Sequence, residues 1–177
     1  MSEPSIISTG SITDQAYHGT TYPAAESILV EGWRKSTGPE QLLGDGVYFF
    51  EDSPSMAKHW AKDRIKGPFV VLRSTVHFGV SLNLAESEHA KLVRHTANKL
   101  RESGVLDVTP AVAINALAKI AGIETVRAQR KRKTAWSIVD GGQLEWGIEL
   151  LLCVKSLEKI VATDSFYTEI PTNENRS

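Results

Sequence analysis

The sequence predicts a single domain of the α+β class, in which short strands and helices are interspersed along the chain. Three observations indicate this class. The chain has 177 residues, enough for one core and few for two. Hydrophobic residues make up 41% of it and charged residues 23%, as in folded globular proteins. Helix-start signals such as Ser53-Pro54 stand between short apolar runs, such as residues 47–50, that have the length of strands.

Four helices are expected from start and stop signals. The first begins near Pro23 and ends at Gly32, because proline suits a first helical turn and glycine a helix end. The second begins at Ser53-Pro54, with serine as the N-cap. The same reasoning predicts a helix over residues 87–101, with one apolar face, and another that starts at Thr109-Pro110 and stops at residue 122.

Strands are predicted from short apolar or alternating runs. They are expected at residues 16–19, 47–50, 69–72, 75–84, 134–139, 149–154 and 159–167. Residues 140–142, Asp-Gly-Gly, indicate a turn. We expect residues 14–170 to form the domain. The polar ends, residues 1–13 and 171–177, are expected to be flexible because they have little to bury.

Charge and cysteine content exclude several classes of protein. The formal net charge is −1, so the whole chain has no electrostatic attraction for nucleic acid or a membrane. Cys153 is the one cysteine, which rules out an internal disulfide and a thiolate zinc site. We find no Sec signal and no apolar run of the ~20 residues that a membrane span needs. We therefore expect no membrane partner, and a cytoplasmic protein or one delivered into a target-cell cytoplasm.

Two short motifs follow one another in the first third of the chain. Tyr17-His18-Gly19-Thr20 precedes the first helix, and Gly44-Asp45-Gly46-Val47-Tyr48-Phe49-Phe50 precedes the second. The order resembles that of the poly-ADP-ribose-polymerase-like branch of the ADP-ribosyltransferases, in which His-Gly-Ser/Thr ends one strand and Gly-Ile/Val-Tyr-Phe enters another. The match covers residues 17–61, about a quarter of the chain. The resemblance implies an ADP-ribosyltransferase-like fold of split, twisted sheets with surrounding helices.

That branch also uses a glutamate at the start of a late strand, and two glutamates compete for the role. Glu149 opens an apolar run over residues 150–154, the context that the family requires. Glu145 ends Gln-Leu-Glu, which resembles the Gln-x-Glu of arginine-modifying toxins, but Trp146-Gly147 follows it rather than a strand. We favour Glu149, and Glu145 stays open. Gly147, two residues before Glu149, argues against the arginine-specific type.

The resemblance implies NAD as a substrate, no metal, and a catalytic set of His18, Tyr48 and Glu149. His18 would hydrogen-bond a ribose hydroxyl of NAD. Tyr48 would stack on the nicotinamide ring. Glu149 would hold a ribose 2′-hydroxyl and stabilise the positive charge of an oxocarbenium-like transition state.

Further NAD contacts are implied beside this set. Gly19 would let the backbone approach the nicotinamide amide, which a side chain would obstruct. Thr20 completes the first motif. The second stacking aromatic of the family falls on His59 here, with Trp60 next to it, so both are candidates for the other wall of the NAD site.

A local cluster of positive charge suggests where the acceptor binds. Residues 127–133, Arg-Ala-Gln-Arg-Lys-Arg-Lys, hold five basic side chains. They form either a solvated loop or edge strand, or a patch that contacts the phosphates of NAD or of a nucleic-acid acceptor. The acceptor is RNA, DNA or protein. By analogy, a compact enzyme of this kind is a bacterial toxin, effector or anti-phage factor, with a possible antitoxin or inhibitor protein as partner.

Two other functions stay open. One is an RNA 2′-phosphotransferase of the related fold, whose Arg-x-His-Val-His motif is similar to residues 73–77, although Thr75 replaces its first histidine. The other is an inactive module of the same fold that binds NAD or a protein without catalysis. A mass shift of ADP-ribose on an acceptor, against removal of a 2′-phosphate from RNA, separates an ADP-ribosyltransferase from the phosphotransferase. Release of nicotinamide from NAD separates it from the inactive module.

Overall fold

The computed structural model describes residues 8–38, 40–137 and 145–170, with side chains described for residues 11–38, 40–131 and 148–170. This part of the chain forms a mixed α and β fold, in agreement with the predicted class. It has strands β1 (Ser8–Thr21), β2 (Val47–Glu51), β3 (Phe69–Asn83), β4 (Thr125–Ser137), β5 (Glu145–Val154) and β6 (Ile160–Glu169). It has helices α1 (Tyr22–Glu31), α2 (Pro54–Arg64), α3 (Ser87–Glu102) and α4 (Pro110–Ala121).

The six strands form one mixed sheet that consists of two three-stranded halves. β1, β3 and β6 pair with one another in the order β1-β3-β6, and β2, β5 and β4 pair in the order β2-β5-β4. The halves are joined at two short places. One is an antiparallel pairing of β1 with β2, and the other is a parallel pairing of β3 with β4.

The β1–β2 junction positions the site. The two strands pair only at Ala16↔Glu51 and Tyr17↔Phe50. Beyond these pairs β1 continues along β3 and β2 continues along β5, so the strands separate. His18, the next residue of β1, and Tyr48 of β2 therefore lie where the sheet divides.

Apolar side chains cover both faces of this junction. On one face, α2 packs its buried Ala57 and Ala61 onto a core that includes Tyr17, Phe50 and Leu151. On the other face a second cluster surrounds Phe49, and comprises Ala16, Val47, Val76, Phe78, Leu152 and Val154. Because neighbouring residues of a strand point to opposite faces, β2 contributes to both clusters.

The predicted helix signals are confirmed. Thr21 caps α1 and Gly32 follows its last turn with φ 91°. The Ser53 hydroxyl accepts from the backbone N–H of Met56 at the start of α2. Thr109 caps α4 in the same way, and Gly122, with φ 65°, ends it. These signals act within a few residues, which is why they can be recognised from the sequence.

Several strand predictions were wrong. The arm expected at residues 1–13 overlaps β1, which starts at Ser8 and pairs with β3. Bulges after Thr9 and Thr13 interrupt the alternation of side chains between the two faces, by which a strand is recognised in a sequence. The two strands expected at residues 69–72 and 75–84 are one strand, β3. The strand expected at residues 134–139 begins earlier, at Thr125. The predicted turn at residues 140–142, and residues 1–7 and 171–177, lie outside the described residues.

Within the described part of the chain, no helix is both long enough and apolar enough to cross a bilayer.

Candidate functional site

A cavity of about 380 Å³ opens where β1 and β2 separate. A volume of this size lies within the usual range of small-ligand sites. The cavity has His18 and Gly19 of β1 on one side and Tyr48 of β2 on another. It is further lined by Trp60 and Arg64 of α2 and by Arg130 of β4. The two motifs that the sequence singled out therefore line one cavity.

His18 is held as a neutral hydrogen-bond acceptor. Its Nδ1 lies 2.7 Å from the backbone oxygen of Tyr48. Because a carbonyl oxygen only accepts, Nδ1 carries the proton and donates it, which leaves Nε2 as the acceptor. Burial lowers the pKa of His18 below its usual value, so the ring is neutral at pH 7. Trp33 and Phe49 contact the ring edge to face and fix its plane.

Tyr48 presents its ring to the cavity and uses its hydroxyl to fix the ring. The hydroxyl accepts from the backbone N–H of Leu43 at 2.8 Å and donates to the oxygen of Gly44 at 2.6 Å. Burial raises the pKa of Tyr48, so the phenol stays protonated at neutral pH. The ring is thus a fixed aromatic wall, as stacking on a planar ligand requires.

A buried lysine holds the loop that anchors Tyr48. Lys155, just after β5, donates from Nζ to the oxygens of Leu43 and Asp45 at 3.0 and 2.9 Å. It also donates to Asn115 Oδ1 of α4, which accepts from the backbone N–H of Asp45 as well. Three donations by one ammonium fix the loop, and burial lowers the pKa of Lys155. The sequence analysis missed this residue.

The single cysteine lies behind the same loop and has no features of a nucleophile. Cys153 is fully buried in β5, where its thiol contacts the oxygen of Gly44 at 3.9 Å. Burial raises the pKa of this thiol to about 11. It therefore stays protonated at neutral pH, and a protonated thiol is a poor nucleophile.

A second, smaller cavity of about 150 Å³ adjoins the first. The two share Trp60, Arg64 and Arg130 as walls, and Glu149 lines only the smaller one. The structure thus brings His18 and Tyr48 into one cavity and Glu149 into its neighbour.

His59 and Trp60 occupy different positions relative to these cavities. His59 lines the smaller cavity rather than facing Tyr48 across the larger one, and its Nε2 lies 3.3 Å from Asp63 Oδ2. Trp60 lines both cavities and is 39% exposed. Of the two residues proposed for the second aromatic wall, only Trp60 lies in the larger cavity.

Glu149 is a buried carboxylate that is paired with an arginine. It lies directly opposite Arg130 on the neighbouring strand, and both Nε and Nη2 of Arg130 donate to its Oε2. The Glu149 side chain is 8% exposed, whereas that of Arg130 is 46% exposed. The prediction that the late strand starts at Glu149 was wrong, because β5 begins at Glu145 and Glu149 is its fifth residue.

Glu145, the competing glutamate, is the first residue of β5. Its side chain lies outside the described residues. The argument that no strand follows Glu145 was wrong, because β5 runs on through residues 146–154.

The glycine of the first motif is required by packing. A Cβ at Gly19 would lie 2.5 Å from the backbone oxygen of Ala57 and 2.9 Å from the Cβ of Ala61, both in α2. Gly19 therefore lets α2 approach β1, and this explains the glycine without any ligand. Thr20 follows it in β1 opposite Val70, and is not among the residues that line the two cavities.

The basic cluster is a strand whose arginines are paired. Residues 127–133 lie in β4, and not in a loop that leads to the next strand. Arg127 donates from Nε and Nη2 to the two oxygens of Glu51, and Arg130 is paired with Glu149. The side chains of residues 132 and 133 lie outside the described residues. At least two of the five charges are therefore balanced within the protein.

Metal binding has no candidate among the described residues, where no group of three or more His, Cys, Asp or Glu side chains is placed to hold an ion. No family model matches this chain, and no curated protein matches it.

Proposed function

We propose that this protein is an NAD-dependent mono-ADP-ribosyltransferase of the poly-ADP-ribose-polymerase-like branch, and that it has the fold of that family. One observation carries the proposal. His18 and Tyr48, from two separated motifs, line one cavity at the division of the sheet, and a buried Glu149 lines the adjoining cavity. The two cavities share lining residues, and we propose that one extended ligand contacts all three side chains.

The chemistry proposed for the three residues follows from their surroundings. The neutral His18 accepts a hydrogen bond from a ribose hydroxyl through Nε2, and the anchored ring of Tyr48 stacks on nicotinamide. The bond between nicotinamide and ribose breaks, and its electron pair leaves with nicotinamide. The ribose carbon then carries positive charge, which the Glu149 carboxylate stabilises until a nucleophile of the acceptor attacks that carbon.

The acceptor is a macromolecule, either nucleic acid or protein. The argument for nucleic acid rested on the charges of residues 127–133, and pairing of Arg127 with Glu51 and of Arg130 with Glu149 weakens it. A role as a bacterial toxin, effector or anti-phage factor, with an antitoxin or inhibitor as partner, rests on analogy alone.

Neither alternative function gains support. In the segment that is similar to the RNA 2′-phosphotransferase motif, Arg73 is paired with Asp164 of β6, and residues 73–77 do not line either cavity. An inactive binding module would be favoured by a Glu149 that pointed away from the site, but Glu149 lines the smaller cavity.

The test uses purified protein and NAD labelled on the adenosine side. Chromatography detects released nicotinamide, and mass spectrometry of protein and nucleic acid from a treated lysate detects transferred ADP-ribose. We expect nicotinamide release and a mass increase of one ADP-ribose on an acceptor. If the protein removes a 2′-phosphate from RNA but releases no nicotinamide when NAD is the only substrate present, the phosphotransferase is favoured. If the protein binds NAD and releases no nicotinamide, the inactive module is favoured.

A further inference from the structure

The smaller cavity has a histidine and an aspartate beside the proposed catalytic carboxylate. His59, Asp63 and Glu149 all line it. Its volume of about 150 Å³ is below the ~300 Å³ at which pockets for whole ligands begin. A cavity of this size cannot hold a dinucleotide, but it can hold the reacting group of an acceptor. The nucleophile that attacks the ribose carbon would therefore approach through it.

An attacking hydroxyl has to lose its proton, and few groups around this cavity can take one. Four of the described lining residues have no group that takes up a proton near neutral pH: Met56, Trp60, Arg64 and Arg130. If Glu149 took the proton, it would lose the charge that stabilises the ribose carbon. His59 and Asp63 are the other two candidates. Of these, the imidazole is the side chain suited to accept a proton near neutral pH.

The aspartate is placed to assist the histidine. Asp63 lies one helical turn after His59 in α2, and its Oδ2 is 3.3 Å from Nε2 of the ring. Because a carboxylate only accepts, it favours the neutral ring that has its proton on Nε2, which leaves Nδ1 as the proton acceptor. Once Nδ1 has taken a proton, Asp63 stabilises the imidazolium charge. Both side chains are more than half exposed, so the ring can return the proton to water after each transfer.

We propose that His59 is the general base of the transfer step and that Asp63 is its positioning residue. The inference rests on the proposed function. After nicotinamide has left, the oxygen of an acceptor hydroxyl forms a bond to the ribose carbon and its O–H bond breaks. The proton passes to Nδ1 of His59, and the electron pair of the O–H bond stays on the oxygen. The acceptor group is therefore a neutral hydroxyl rather than a carboxylate, since a carboxylate has no proton to remove.

The test compares a neutral and an anionic acceptor in one reaction. NAD is the donor, and methanol and azide compete for the ribose carbon. Methanol must lose a proton, whereas azide needs no base. Mass spectrometry measures methyl ADP-ribose and ADP-ribosyl azide, and their ratio is independent of NAD binding and of bond cleavage because both come from the same cleaved donor. In His59→Gln the ratio of methyl to azide product should fall by about tenfold or more.

Two further variants test the same step. Imidazole added to His59→Ala should restore formation of methyl ADP-ribose without changing formation of the azide product. Asp63→Asn should lower the product ratio less than His59→Gln does, because the base remains and only the carboxylate that positions it is lost. A purely structural role of either residue would lower both products together and would not respond to imidazole.

The matched control is His95→Gln. His95 is also an exposed histidine in a helix, but it belongs to α3 and lines neither cavity, so this variant should keep the wild-type ratio. The inference alone would be overturned by an unchanged ratio in His59→Gln, or by a wild type that releases nicotinamide but forms neither trapped product. A wild type that releases no nicotinamide would contradict the proposed function, and the inference with it.

Discussion

Replacing Lys155 by methionine should loosen the loop that anchors Tyr48. Methionine has nearly the same length but no donor, so the oxygens of Leu43 and Asp45 lose the ammonium that binds them. An unsatisfied buried carbonyl costs about 1–3 kcal/mol. Relief of the cost of burying an ammonium offsets part of this loss. We expect a net loss of about 2 kcal/mol in the free energy of unfolding, equivalent to about 4–8 °C in Tm for a chain of this size.

The functional consequence should follow from the same loop. Leu43 and Gly44 hold the Tyr48 hydroxyl, so a loose loop leaves the stacking face poorly positioned. KM for NAD should rise more than kcat falls, because the proposed role of Tyr48 is in binding.

Thermal unfolding and nicotinamide-release kinetics on Lys155→Met check both expectations. Lys159→Met is the matched control, because Lys159 makes a partly exposed ion pair with Glu124 that contributes about 0–1 kcal/mol. If Lys155→Met unfolds and binds NAD like wild type, or if Lys159→Met has the larger effect, the reasoning is refuted.

Two further predictions concern β1. Gly19→Ala should cost about 1–3 kcal/mol in the free energy of unfolding, because the new Cβ meets the Ala57 backbone oxygen at 2.5 Å; urea denaturation at wild-type stability would contradict this. His18 has a folded pKa below 6.5, so its contribution to stability is present above pH 6.5 and is lost as the pH falls through the folded value. Unfolding free energy should therefore fall less between pH 7 and pH 5 in His18→Gln than in wild type, and equal falls would exclude this role.

Local signals in the sequence predicted the helices, and long-range pairing explains where the strand predictions failed. Polar residues Arg73 and Ser74 made β3 look like two strands. In the folded chain, Asp164 pairs with Arg73, and Thr163 bonds the buried Ser74 at 2.9 Å. Both partners lie on β6, about 90 residues away. A pattern read over a short window cannot show that a polar residue will have such a partner.

The same limit applies to β4 and to the site. Arg127 and Arg130 are tolerated in a strand because Glu51 and Glu149 balance them. Glu51 and Glu149 are distant in sequence from the arginines that they balance. The sequence alone therefore did not show that these charges are paired, and the segment resembled a solvated cluster.

The positions of His18 and Tyr48 could be predicted, since each lies in a short motif with a recognisable neighbour. Lys155 and Asn115 could not, because their roles depend on a loop that they meet only in the folded protein.

The central claim is that Glu149 promotes cleavage of NAD by its charge. Nicotinamide release by Glu149→Gln, measured under saturating NAD, tests it most directly. Glu51→Gln is the matched control, because Glu51 is an equally buried glutamate with its own arginine partner and lines neither cavity. Loss of the Glu149 charge should remove about 3 kcal/mol of transition-state stabilisation and lower kcat more than tenfold, while NAD binding survives. Glu51→Gln should keep the wild-type kcat. Equal turnover by Glu149→Gln and wild type would contradict the account.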